Sequence, residues 1–207
     1  MTTKATGTGK DIDPIPSGMH HAICYAVVDI GTQEGMYGPK PQLVVIWELP
    51  GERIQYEKNG VDVDLPRAYS QRYTLSIHEK SNLGQHLTGW RGRPFTAEEK
   101  AGFDVRNIAG VNCLMNLIHE PKEGGGVRVK IASINPLPST MPKKKAENPI
   151  VKYDIEEDGM CIPETLPDWV KDEIKKSKEY ITLSQGGSLG SDVEYDDMPL
   201  GDDGIPF

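Results

Sequence analysis

Residues 67–90 read RAYSQRYTLSIHEKSNLGQHLTGW, and the spacing of their apolar side chains changes halfway through. Tyr69, Tyr73, Leu75 and Ile77 fall near one face of an extended chain, with Ser70, Arg72, Thr74 and Ser76 on the other. That period of two marks a strand. From Ser81 onward, Leu83, Leu87 and Trp90 recur at helical spacing, with Ser81 placed to cap the first turn. Gly92 and Pro94 stop the helix. Working outward, His21–Ile30 and Gln42–Leu49 read as two earlier strands, separated by turn-rich loops at Gly31–Pro41 and Pro50–Pro66. Downstream, a second helical piece at Thr96–Lys100 precedes strands at Val111–His119 and Val127–Ile134. Gly124, Gly125 and Gly126 supply the freedom at positive φ that the turn between those strands needs.

The order is strand, strand, strand, helix, strand, strand, so the chain is mainly β, or α+β by content. It matches an OB-fold, a five-stranded barrel with a helix between strands three and four, an architecture that serves oligonucleotide binding. A small α+β sheet of another topology shares the same order. We assign residues 18–137 to this DNA-binding domain and residues 1–17 to a flexible N-terminal arm. Beyond Pro136 the texture changes to Pro-Leu-Pro, Lys143-Lys144-Lys145 and Asn148-Pro149. Residues 138–183 therefore read as a linker with one weakly docked C-terminal helix over Pro167–Tyr180, its sparse apolar contacts being Trp169, Val170 and Ile174. Residues 184–207 are Gly-, Ser- and Asp-rich without periodicity, the composition of a disordered acidic tail.

The net charge of -8 looks unsuited to a polyanion partner until it is divided along the chain. Residues 19–137 carry thirteen basic and thirteen acidic side chains, whereas residues 138–207 carry eight against sixteen. The excess negative charge lies wholly in the last third, and a balanced body can still present a basic stripe. The mean hydropathy of -0.49 and the 22 glycines and 16 prolines argue that part of the chain stays outside any packed core. No run approaches the roughly 18 apolar residues of a membrane helix, and the N-terminus lacks an apolar signal core, which suggests a cytoplasmic protein. Cys24, Cys113 and Cys161 are widely spaced and odd in number, as expected of reduced thiols.

The chain ends Asp202-Asp203-Gly204-Ile205-Pro206-Phe207, preceded by Glu194-Tyr195-Asp196-Asp197. An acidic lead steers this segment toward basic surfaces. Ile205 and Phe207 can fill an apolar pocket, Pro206 stiffens the link between them, and the α-carboxylate can pair with a cation at the pocket lip. The ending resembles the acidic tip of bacterial single-stranded DNA-binding proteins, which finish in aspartates followed by Ile-Pro-Phe. Gly204 stands where that family usually has another acidic residue, and the Lys-rich, partly helical approach differs from its long Gly/Gln-rich linker. The resemblance implies that residues 202–207 recruit replication, recombination and repair proteins. The body, especially residues 75–83 (LSIHEKSNL) and Trp90-Arg91-Gly92-Arg93-Pro94-Phe95, resembles OB-fold single-stranded DNA-binding proteins of tailed bacteriophages, which implies a phage-encoded protein acting in the host cytoplasm.

Binding single strands without sequence choice needs cations along the backbone path and aromatic faces for the bases. Arg72, Arg128 and Lys130 point outward on strands three and five and are the first candidates for phosphate contact. Lys40 and Tyr37 in the first loop, and Arg53 and Tyr56 in the second, are placed to close over the strand. Tyr69, Tyr73 and Trp47 are candidates for stacking, with core packing the competing reading for each and a solvated surface charge the competing reading for each cation. Thr6-Gly7-Thr8-Gly9-Lys10 lacks the spacing of a phosphate-binding loop, and the five histidines match no metal-ligand pattern. No catalytic constellation stands out, so we expect a non-enzyme with no cofactor and no metal. Its partners would be single-stranded DNA and proteins that grip the tip, with homo-oligomerisation left open and no membrane attachment. The rival reading is a protein-interaction module or DNA mimic competing for host partners.

Overall fold

Every side chain from Ala22 to Val28 is buried, so the strand that carries them, β1 (Gly18–Gln33), is covered on both faces. The computed structural model that shows this describes residues 13–36, 38–58 and 61–189. Tyr37, the side chain of Tyr56, residues 1–12 and the tail and tip at 190–207 lie outside the described residues. The expectations placed on them are not addressed by the structure.

The other strands are β2 (Lys40–Lys58), β3 (Val61–Thr74), β4 (Asn112–Pro121), β5 (Val127–Pro136) and β6 (Val151–Tyr153). Five of them form an antiparallel sheet in the order β3-β2-β1-β4-β5. A register shift between Cys24 and Ala26 bends β1. Ahead of it, Gly18–Ile23 pair with β4; beyond it, Ala26–Val28 pair in parallel with β6. Among the described residues no ladder joins β3 to β5, so the sheet is not closed. The fold is mainly β with a few helices, as the sequence indicates.

The loop expected at Pro50–Pro66 is instead mostly strand: β2 and β3 run on as a long hairpin, paired from Arg53↔Pro66 to Lys58↔Val61. The Gly124–Gly126 turn is present, with φ of 92°, 99° and 80°. Helix α1 (Asn82–Arg91) begins and ends where the sequence indicates. Ser81 Oγ accepts from the Gly84 N–H at 3.0 Å, and Gly92 closes the helix at φ 70°. Leu83, Leu87 and Trp90 seat it on one core, together with Cys24, Val45, Trp47, Met115, Leu117 and Ile134. α2 (Ala97–Gly102) follows, with a reciprocal cap between Thr96 and Glu99, and then a 3-10 turn at Val105–Ile108.

The C-terminal third departs from its expected role as a linker. After β6 come α3 (Ile155–Asp158), α4 (Asp168–Lys176) and α5 (Lys178–Ser184), which build a second core on the outer face of β1 and β2. Tyr25, Val28, Ile30, Val44 and Ile46 meet Tyr153, Ile155, Leu166, Val170 and Ile174 there, all nine-tenths or more buried. The single helix expected over Pro167–Tyr180 is two, because Ser177 leaves helical geometry (φ -65°, ψ 153°) and caps α5 through Tyr180 N–H. Val170 and Ile174 are buried as expected, whereas Trp169 is exposed. Cys24 and Cys113 lie in the first core and Cys161 is exposed, all unpaired. No described helix is long and apolar enough to cross a membrane.

Candidate nucleic-acid interface

The described aromatic candidates, Trp47, Tyr69 and Tyr73, turn inward wholly or in part. Trp47 is 1% exposed, packed 6.1 Å from Trp90 between ring centroids, so it has no face for a base. Its position among Leu43, Val45 and Leu49 on one face of β2 decides this. Tyr73 is likewise buried, its hydroxyl 2.7 Å from His86 Nδ1. Burial drives the Tyr73 phenol well above its ordinary pKa and the His86 imidazolium below it, so the two share a hydrogen bond as neutral groups. Both residues are corrected from stacking candidates to core. Tyr69 is half-buried and donates its hydroxyl to the Val129 carbonyl at 3.2 Å, a bridge between the two end strands of the sheet.

The cationic candidates point outward but do not converge. Arg72 is ion-paired with Glu173 of α4, on the face that the C-terminal helices cover. Lys130 pairs with Glu120 at 2.7 Å. Arg53 is held between Asp64 at 2.9 Å and Glu147 at 2.5 Å, which pushes its guanidinium pKa further up. Arg128 is exposed and has no ion pair among the described residues, while Lys40 opens β2 opposite Gln33. An arginine already bonded to carboxylates offers a phosphate less than a free one, because the incoming anion must displace the resident one.

A further run of exposed cations lies elsewhere. Ile23, at the bend of β1, pairs with Glu48 of β2 on one side and Asn112 of β4 on the other, so all three share the outer face. The chain at 144–148 crosses this face as a strap and is pinned at both ends. Asn112 Oδ1 accepts from the Lys144 N–H at 2.9 Å, and Asn112 Nδ2 donates to the Lys144 carbonyl at 3.1 Å. Glu48, fully buried, accepts from the N–H groups of Glu147 (2.8 Å) and Asn148 (3.0 Å) and from Asn148 Nδ2 (2.8 Å). Lys143, Lys144 and Lys145 stand exposed on or beside this strap, without an ion pair among the described residues.

Asn112 also ties the strap to α1 and β1. Its carbonyl accepts from Trp90 Nε1 at 3.1 Å, and its Oδ1 accepts a second bond from His21 Nε2 at 2.7 Å. The preceding residue, Val111, lines a cleft of about 240 Å³ with Leu87, Trp90, Arg91, Phe103 and Ile108. The Arg91 guanidinium lies 4.1 Å above the Phe95 ring and is paired with Glu99, yet its Nη1 is shielded from solvent with no hydrogen-bond partner. A second cleft of about 480 Å³ opens between β1, β6 and the α2 end, floored by Leu43, Leu75 and Phe103 and edged by Asp29, Asp104 and Asp154. Burial, with the Asp154 and Glu179 charges adding to it, lifts Asp29 to about 6. Arg106 there is consumed by Asp104, Asp154 and Glu157. Such an edge repels a polyanion.

Sequence reasoning missed Glu48 and Asn112. Glu48 reads as an ordinary outward residue of an alternating strand. The available signal was that Val44 and Ile46, on the same face, are also apolar, which a solvated face does not require. Among the described residues no group of His, Cys, Asp and Glu is arranged to hold a metal ion. Protein-family models give no match to the chain, and a search of curated proteins finds none either.

Proposed function

We propose that this chain binds single-stranded DNA without sequence preference through an OB-type barrel, performs no chemistry of its own, and recruits partner proteins with its acidic C-terminal tip. The observation that carries the reading is the strand order β3-β2-β1-β4-β5 with α1 between β3 and β4. An OB barrel has this order and this helix, and closes by bringing its third strand beside its fifth. Here those two strands are the ends of the sheet, and Tyr69 spans them through Val129. The helix position and the shared core beneath α1 support the same architecture. The tip supports the function independently, because Asp202-Asp203-Gly204-Ile205-Pro206-Phe207 resembles the endings of bacterial single-stranded DNA-binding proteins. A phage-encoded protein of this kind would coat and hand over replication, recombination or repair intermediates.

Titration of a labelled oligothymidylate at two salt concentrations tests the first half. Affinity should fall as salt rises, since each phosphate neutralised on a single strand contributes a slope of about -0.7 in log K against log salt. Equal affinity at both concentrations would remove the groove from consideration. Deleting residues 192–207, which carry six acids and no base, tests the second half. DNA affinity should be kept or strengthened while partner capture is lost; a truncation that loses DNA binding overturns this division of labour.

A further inference from the structure

Lys143–Lys145 and the cleft beside Val111 lie on either side of Asn112, which hydrogen-bonds to Lys144 and, through its carbonyl, to Trp90 in the cleft wall. Three facts make this junction unlike the rest of the described surface. The strap has no regular secondary structure, yet its backbone is pinned by Asn112 and Glu48, so Lys144 and Lys145 stand exposed on a fixed track with Lys143 next to it. None of the three is ion-paired among the described residues, in contrast to Arg53, Arg72 and Lys130. The neighbouring cleft has aromatic and aliphatic walls, is smaller than a drug-sized pocket, and has Arg91 in its lining. Apolar walls and an adjacent row of cations are complementary to a single nucleotide within a strand. The ring enters the cleft against its aromatic and aliphatic walls, and the flanking phosphates lie on the lysines.

We propose that a nucleotide of bound single-stranded DNA is held at the Asn112 junction, its base in the Val111 cleft and its flanking phosphates on Lys143–Lys145. This rests on the single-strand-binding reading and moves its phosphate contacts from Arg72 and Lys130 to the strap. No strap hydrogen bond uses a lysine side chain, so the triple variant Lys143→Ala, Lys144→Ala, Lys145→Ala leaves the pinning intact. A second triple variant, Lys80→Ala, Lys152→Ala, Lys175→Ala, removes the same charge elsewhere and serves as control.

Full-length proteins are titrated with oligothymidylate across a range of salt. The strap variant should lose about two units of the log K against log salt slope, from three contacts at about 0.7 each, and about tenfold or more in affinity at low salt. The control should keep the wild-type slope. In parallel, wild-type protein is irradiated with an oligonucleotide containing 5-iododeoxyuridine, and the adducts are mapped by mass spectrometry. Adducts are expected on Trp90 or Phe103. Wild-type protein that binds DNA while the strap variant keeps its slope, or whose adducts all lie outside the cleft, overturns this assignment alone. Wild-type protein that binds no oligonucleotide at any salt overturns the single-strand-binding reading and this site with it.

Discussion

Glu48 shows how one buried carboxylate organises a surface. Its two oxygens collect three donors from Glu147 and Asn148. Glu48→Ala therefore strands three polar groups under cover, and the expected loss is on the order of 3 kcal/mol in urea unfolding. A loss under about 0.5 kcal/mol, the range of an ordinary surface change, would mean the strap is not anchored there. Asp29 behaves in the opposite sense. Its folded pKa of about 6 lies above its ordinary value of 3.8, so the folded protein holds a proton that the unfolded chain releases. Its contribution thus weakens the fold progressively as pH rises from about 4 to about 6, by on the order of 2 kcal/mol once it is ionised. Asp29→Asn stays neutral and keeps one acceptor for the Gly31 N–H, which Asp29 Oδ1 now accepts at 2.8 Å. The variant should melt higher than wild type at pH 7 and lose that advantage near pH 4. An equal shift at both values would show that ionisation of Asp29 is not the cause.

At the scale of elements, the clearest signals in the sequence were those that local chemistry sets. Ser81, Gly92 and the Leu83, Leu87, Trp90 spacing delimit α1 because capping and amphipathicity are properties of the segment itself. The break at Ser177 was not legible, since the choice between one helix and two depends on how Ile174 and Thr32 hold the chain. Ser177 Oγ donates to the Ile174 carbonyl, and Glu179 takes the N–H and hydroxyl of Thr32 at 2.7 and 2.6 Å. Among the site candidates, outward placement of Arg72 followed from alternation, but its capture by Glu173, 101 residues away, is a tertiary fact that no local pattern encodes. The contact of α1 with β5 makes a further prediction. A Cβ at Gly89 would stand 2.6 Å from the Ile134 carbonyl oxygen, a backbone atom that cannot swing aside. Gly89→Ala should therefore destabilise by about 1–3 kcal/mol despite the better helix propensity of alanine. A thermal melt settles it, and a raised melting temperature would show that the helix does not sit so close.

For the whole molecule, the division between the antiparallel sheet and the C-terminal region is one of sequence rather than of stability. The succession of strands and α1 was readable because turn, cap and periodicity signals are local, whereas the helices that cover the sheet contribute only a few apolar residues each. Those few give no indication of where they dock. Their partners are the clue: β1 and β2 are apolar on both faces, and a sheet that is apolar twice needs two covers. Removing the second cover exposes Tyr25, Val28, Ile30, Val44 and Ile46 together, at roughly 1.5–3 kcal/mol for each large side chain returned to water. A fragment ending at Leu137 should consequently aggregate or unfold without cooperativity, although it holds all five antiparallel strands and α1. A fragment ending at Leu189 keeps both cores and should unfold in one transition with the stability of the full chain. Chemical denaturation of the two fragments, followed by tryptophan fluorescence and circular dichroism, separates these outcomes. If the shorter fragment proves monodisperse and cooperative, the C-terminal helices are an appendage to a sheet that folds without its second cover.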